Sequence, residues 1–155
     1  MERVMQAETR RARISAEIRD RTGIDEAMIN ALVIRFYEQV RKDPLIGPVF
    51  EAKIEDWSHH LQKLCAFWSS VVLMTGRYHG QPMQAHMSLP VERAHFERWL
   101  EIFETTARNI CPPKAADVFI DRARRIADSL ELGIATSRGE ITTPRWACAN
   151  MPSQP

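Results

Sequence analysis

Large apolar residues recur at helical spacing in one segment of this chain after another, and no strand-type alternation competes with them. Ile29, Leu32, Val33, Phe36, Tyr37 and Val40 share one face of a segment that Asp25 can cap. It ends at Asp43-Pro44, where proline disfavours helical geometry in the residue before it. Leu45 to Phe50 reads as an apolar corner broken by Gly47-Pro48. Asp56 opens the next helix, with Trp57, His60, Leu61, Leu64, Phe67, Trp68 and Val71 on one side and Gly76 as the expected stop. Turn chemistry then leads into a short helix from about Pro82 to His86. The period returns through Phe96, Trp99, Leu100, Phe103 and Ala107, breaks at Pro112-Pro113, and resumes through Val118, Phe119, Ala123, Ile126, Ala127 and Leu130. The fold class is all-α.

A chain of 155 residues can bury one sizeable core, and residues 23–136 are the expected domain. Residues 1–22, polar and Arg-rich, read as a partly helical N-terminal extension; residues 137–155 lose periodicity and read as a flexible tail. The net charge of +1 gives no electrostatic case for nucleic acid or a membrane surface, and Glu8 and Glu17 break up the basic start into a solvated face. No apolar run approaches the ~20 residues a membrane span needs, and the start lacks the apolar stretch of an export signal. Cys65, Cys111 and Cys148 have no zinc-type spacing and suit a reducing compartment, so the expected location is cytoplasmic.

The stretch from Trp57 to Pro90 concentrates the chemistry, with four of the five histidines and two of the four tryptophans. His60 stacks on Leu64 and Trp68 along one helix face, whereas His59 is turned by ~100°. Taken singly, His60 reads first as a core histidine bonded to a carbonyl, and His59, His79 and His95 as surface residues. His86 follows a Gly-and-Pro turn and sits among Met83, Ala85, Met87 and Leu89. A neutral imidazole in such surroundings suits iron or zinc, and equally it can cap or turn the chain. Two inward histidines on facing walls suggest a bound metal cofactor. Tyr37 and Trp99 add a buried hydroxyl and an indole N–H, both of which need partners. Phosphate loops, HExxH, CxxC and GxSxG are absent, and the paired acids at Asp25-Glu26 and Glu55-Asp56 read as helix-start residues.

One composite pattern joins these pieces. The string FYEQVRKDPLIGPVF from Phe36 to Phe50 is followed by Trp57 and His60, then Phe67-Trp68, then Y.GQP...H..LP from Tyr78 to Pro90, then F..WL..F from Phe96 to Phe103. In this order and spacing, over about residues 25–135, the chain resembles the truncated haemoglobins of group III. The resemblance implies a shortened globin, two helices stacked over two, enclosing haem b (iron protoporphyrin IX). It implies His86 as the iron ligand, Tyr37, His60 and Trp99 as the ligand-facing set on the distal side, and Phe50 packed on the haem ring. It further places Leu64, Phe67 and Trp68 at pocket or tunnel positions; Met83, Met87, Leu89 and Phe96 complete the expected cofactor contacts.

A protein of this kind is expected to bind O₂, NO or CO at a five-coordinate iron with a polar distal pocket. Tight O₂ binding suits NO or peroxide detoxification or ligand storage better than delivery. An NO dioxygenase or peroxidase-like activity would need a separate reductase, because the chain has no flavin or dinucleotide fingerprint. The alternative is a haem-based sensor or regulatory module acting on a protein partner through either terminus.

Overall fold

The computed structural model describes residues 1–140, and every regular element among them is helical. In chain order these are α1 (Glu2–Thr22), α2 (Glu26–Lys42), α3 (Gly47–Lys53), α4 (Trp57–Leu73), α5 (Pro82–His86), α6 (Arg93–Ile110) and α7 (Pro113–Ser137). The tail expected to be flexible begins at residue 137, and its residues 141–155 lie outside the described residues.

The starts of α2 and α4 follow from their capping acids. The Asp25 carboxylate accepts from the Met28 amide at 2.8 Å, and Asp56 accepts from the His59 amide at 3.2 Å. All six apolar residues expected on the inner face of α2 are buried. Two boundaries differ from the sequence reading. Gly47 and Pro48 do not break the corner but begin α3, because a proline in the first turn forfeits only an amide that has no helical partner there. Gly47 also has no room for a side chain: a Cβ would lie 2.9 Å from the Arg41 carbonyl oxygen. Helix α4 ends at Leu73, with Met74 in the left-handed region at φ 55°, so Gly76 serves the loop beyond and is not the stop.

The N-terminal segment is one continuous helix, not a partly helical one. Its first 13 residues are exposed, although the Arg11 guanidinium lies against Gly76, and burial begins at half-buried Ile14 and buried Ser15. The Ser15 hydroxyl donates to the Leu73 carbonyl at 2.7 Å, satisfying an acceptor at the C-terminus of α4.

Four helices close on one another: α2 packs on α4 and α6, and α7 packs on α6 and α4. Phe36, Phe103 and Phe119 are fully buried at their centre. Phe103 is sandwiched between Trp68 (centroids 5.0 Å, planes 19° apart) and Trp99 (5.5 Å, 17°). Phe36 meets both Trp99 and Phe103 edge-on. Such aromatic pairs each contribute roughly 0.5–1.5 kcal/mol beyond the area they bury. Their arrangement ties α2, α4 and α6 together beneath the cavity described next.

Candidate functional site

Beside this aromatic stack lies a cavity of about 470 Å³, within the ~300–1,000 Å³ range of small-molecule and cofactor pockets. Its walls come from six elements. Tyr37 enters from α2, Phe50 from α3, and His60, Leu64, Phe67 and Trp68 from α4. His86 enters from α5, Phe96 and Trp99 from α6, and Ile126, Ala127 and Leu130 from α7. Leu89 and Val91 close it from the segment between α5 and α6.

Tyr37 is almost completely buried, and burial pushes its hydroxyl well above the ordinary phenol value. The Trp99 side chain beside it partly opposes that shift. Phe50 and Phe36 pack edge-on to the Tyr37 ring and hold it in place. His60 stands edge-on to Tyr37 at 6.1 Å and to Trp57 at 5.9 Å between ring centroids. Burial depresses the His60 pKa, and the charges of Lys63, His86 and His59 depress it further. A neutral imidazole therefore faces the cavity at pH 7. Behind it, the Arg41 guanidinium lies 4.5 Å from the centre of the Trp57 ring and is itself paired with Glu51 at 2.8 Å. The Trp57 indole N–H is buried with no hydrogen-bond partner among the described residues.

His86 is placed differently. Its Nδ1 lies 2.6 Å from the Pro82 carbonyl oxygen, one turn back in α5. A carbonyl only accepts, so Nδ1 carries the proton and Nε2 keeps a free lone pair. A backbone carbonyl holding one ring nitrogen in this way fixes the tautomer and turns the other nitrogen toward a metal. An apolar slot with one oriented imidazole and a cluster of donors fits a haem: the macrocycle is apolar, and its iron takes nitrogen ligands. Lys53 and Lys63 also line the cavity and supply cations for the carboxylates a haem carries.

Of the residues expected at the site, the cavity brings together Tyr37, Phe50, His60, Leu64, Phe67, Trp68, His86, Leu89, Phe96 and Trp99. It does not bring in Met83 or Met87. Met83 sits over Gly133, where any Cβ would collide with its sulfur, and Met87 is 44 % exposed. In a helix of only five residues, the side chains one position from His86 and three before it point elsewhere. Ile46, Val49, Val91, Ile126, Ala127 and Leu130 line the cavity without having been singled out for it. The helical period marks Ile126, Ala127 and Leu130 as inward but cannot distinguish core from pocket. His95, expected on the surface, is half-buried; its Nδ1 accepts from the Glu92 amide at 3.0 Å and completes the capping box of α6.

The comparisons with known proteins agree with this geometry. A family model described as bacterial-like globin matches residues 17–131. The group 3 truncated haemoglobin of Campylobacter jejuni is 35% identical over 113 residues, spanning 70% of this chain and 89% of that protein. The crystal structure of a group III truncated haemoglobin from the same organism superposes with a TM-score of 0.68 at 34% identity, covering 72% of this chain and 91% of that one. The four-helix closure of α2, α4, α6 and α7 is thus the two-over-two sandwich of a shortened globin, and the chain belongs to the bacterial-like globins as a haem-binding truncated haemoglobin of group III.

Proposed function

We propose that this protein holds haem b through Nε2 of His86 and binds O₂ and other diatomic ligands, NO and CO among them, with Tyr37 as the principal donor. The observation that carries this reading is the cavity itself, which brings Tyr37, His60 and Trp99 together with His86, whose Nδ1 is tied to the Pro82 carbonyl at 2.6 Å. Tyr37 lines that cavity, and its O–H can donate to a ligand held there.

Haem, when bound, would supply an iron able to take a small diatomic ligand, and His86 is the residue that would hold it. The chain supplies the rest. His86 is held in the correct tautomer by Pro82, and Leu64, Phe67 and Phe96 keep the slot apolar. Tyr37 donates to a ligand that develops negative charge; such a charge-assisted bond is worth about 1.5–3 kcal/mol, or about 10–150-fold in affinity. His60, neutral at pH 7, stands beside it as a second polar group.

Strong ligand retention suits detoxification of NO or peroxide better than O₂ delivery, and turnover then requires electrons from a separate reductase. Absorption spectra of the ferric and ferrous holoprotein test the assignment. His86→Ala is expected to lose the intense Soret band unless imidazole is added, and an unchanged band would sink the ligand assignment. Steady NO consumption under air with a reductase supports detoxification, whereas one stoichiometric burst reduces the function to binding.

A further inference from the structure

Helix α5 carries His86, yet none of its five residues is buried, and so short a helix has little stability of its own. The Pro82 carbonyl orients the imidazole within α5; three contacts tie α5, the segment after it and the start of α6 to the C-terminal end of α7. Met83, in the first turn of α5, seats on Gly133, where the missing side chain makes room for the thioether. Arg93, at the start of α6, pairs with Glu131 at 2.8 Å, and the Glu131 side chain is only 10% exposed. Arg138, at the C-terminal cap of α7, donates from Nη1 to the Val91 carbonyl at 3.0 Å and from Nη2 to the Leu89 carbonyl at 2.7 Å.

The Arg138 contacts are the ones that bear on His86. The segment after His86 has no regular structure; its Leu89 carbonyl accepts from the Val91 amide at 2.9 Å, and Arg138 adds a second donor to that carbonyl and one to the Val91 carbonyl. The Leu89 amide donates to the His86 carbonyl at 3.1 Å, so the residue held by Arg138 is itself tied to the backbone of the histidine. Leu89 and Val91 also line the cavity, so the same fork sets the wall beside the imidazole.

We propose that Arg138 is a positioning residue for His86, its forked guanidinium fixing the Leu89–Val91 backbone and, through it, the distance and tilt of the imidazole. The role rests on the reading of His86 as the haem ligand. A guanidinium suits it because two rigidly spaced N–H groups reach two carbonyls at once, which a single ammonium cannot match. Outer-shell partners of this kind typically matter about 10–100-fold in metal affinity or activity.

The test uses the ferrous holoprotein and reads the iron–histidine stretching band by resonance Raman, with the C–O stretch of the CO complex as the distal control. In Arg138→Met the iron–histidine band is expected to shift or broaden, with haem loss to an excess of acceptor apoprotein rising about 10-fold or more. The C–O stretch is expected to stay in place, and amide exchange at residues 87–91 to quicken. Arg138→Lys, which keeps the charge but not the fork, is expected to give an intermediate band. A wild-type iron–histidine band in Arg138→Met overturns the proposal, as does a C–O stretch that moves along with it, since that signals general loosening. Should Arg138→Met fail to fold, a wild-type band in Arg138→Lys overturns it equally. An iron–histidine band that survives in His86→Ala would instead overturn the ligand assignment beneath it, leaving a result distinguishable from failure of the clamp.

Discussion

On the proposed function Tyr37 and Trp99 stand side by side at the ligand, which sets how their removal should add up. Tyr37→Phe deletes the proposed donor and is expected to raise the O₂ dissociation rate by about 10-fold or more. Trp99→Phe leaves that O–H in place but removes the polar side chain beside it. The double variant should therefore lose less than the sum of the two, with a coupling of about 0.5–3 kcal/mol; stopped-flow dissociation rates of the three variants measure it. Strict additivity would mean that Trp99 and Tyr37 reach the ligand independently. His60 carries a different expectation. Its folded-state pKa is depressed by burial, below the ~6.5 of an unfolded imidazole, so on acidification the unfolded chain takes up this proton first. The contribution of neutral His60 is present above the unfolded value and is lost as pH falls through it. The Tm of His60→Leu relative to wild type is accordingly expected to rise between pH 7 and pH 5, which a pair of calorimetric scans would show.

At the scale of elements, sequence and structure part where a helix is held by something other than its apolar stripe. The period located α2, α4, α6 and α7 because each buries a stripe of large side chains, and α5 matched because prolines and a turn delimit it. Helix α1 has no such stripe; a buried serine hydroxyl and half-buried Ile14 and Ile18 dock it, and hydroxyl-to-carbonyl bonds leave no periodic trace. Helix α3 was hidden because Gly-Pro signals both a break and a start, and only the space against the end of α2 decides between them. Within the cavity, the period marked Tyr37, His60 and Trp99 as inward; that Trp99 comes to lie beside Tyr37 depends on how α6 meets α2, which no local pattern encodes. The uneven docking of α1 has a measurable result. Deleting residues 1–12, all exposed, is expected to change stability by no more than about 0.5 kcal/mol. Ser15→Ala strands the Leu73 carbonyl and is expected to cost about 1–3 kcal/mol, read as a lower urea midpoint at unchanged slope.

For the molecule as a whole, the cavity reaches into the space where the four packed helices meet. Removing the haem leaves its apolar lining without contacts on one side, a state proteins of this packing density tolerate poorly. With haem at about a thousand times its Kd, linkage adds about 4 kcal/mol to folding. At about 2–4 °C per kcal/mol for a chain of this size, apoprotein is expected to melt about 8–16 °C below holoprotein. Scanning the two forms side by side checks it, and coincident melting would mean that the fold does not depend on its cofactor. The clamp on α5 predicts which part loosens first: amides of α5 and the Leu89–Val91 segment, before those of the Phe36–Phe103–Phe119 core.

The placement of the indoles has an optical consequence. Trp68 and Trp99 line the haem cavity, and Trp57 touches it through His60. A porphyrin absorbs where tryptophan emits, so these three rings are near enough to pass their excitation to it and go dark. Apoprotein should glow under ultraviolet light and dim as the cofactor enters. A fluorimeter thus gives a direct count of filled sites, usable on samples too dilute for a reliable visible spectrum.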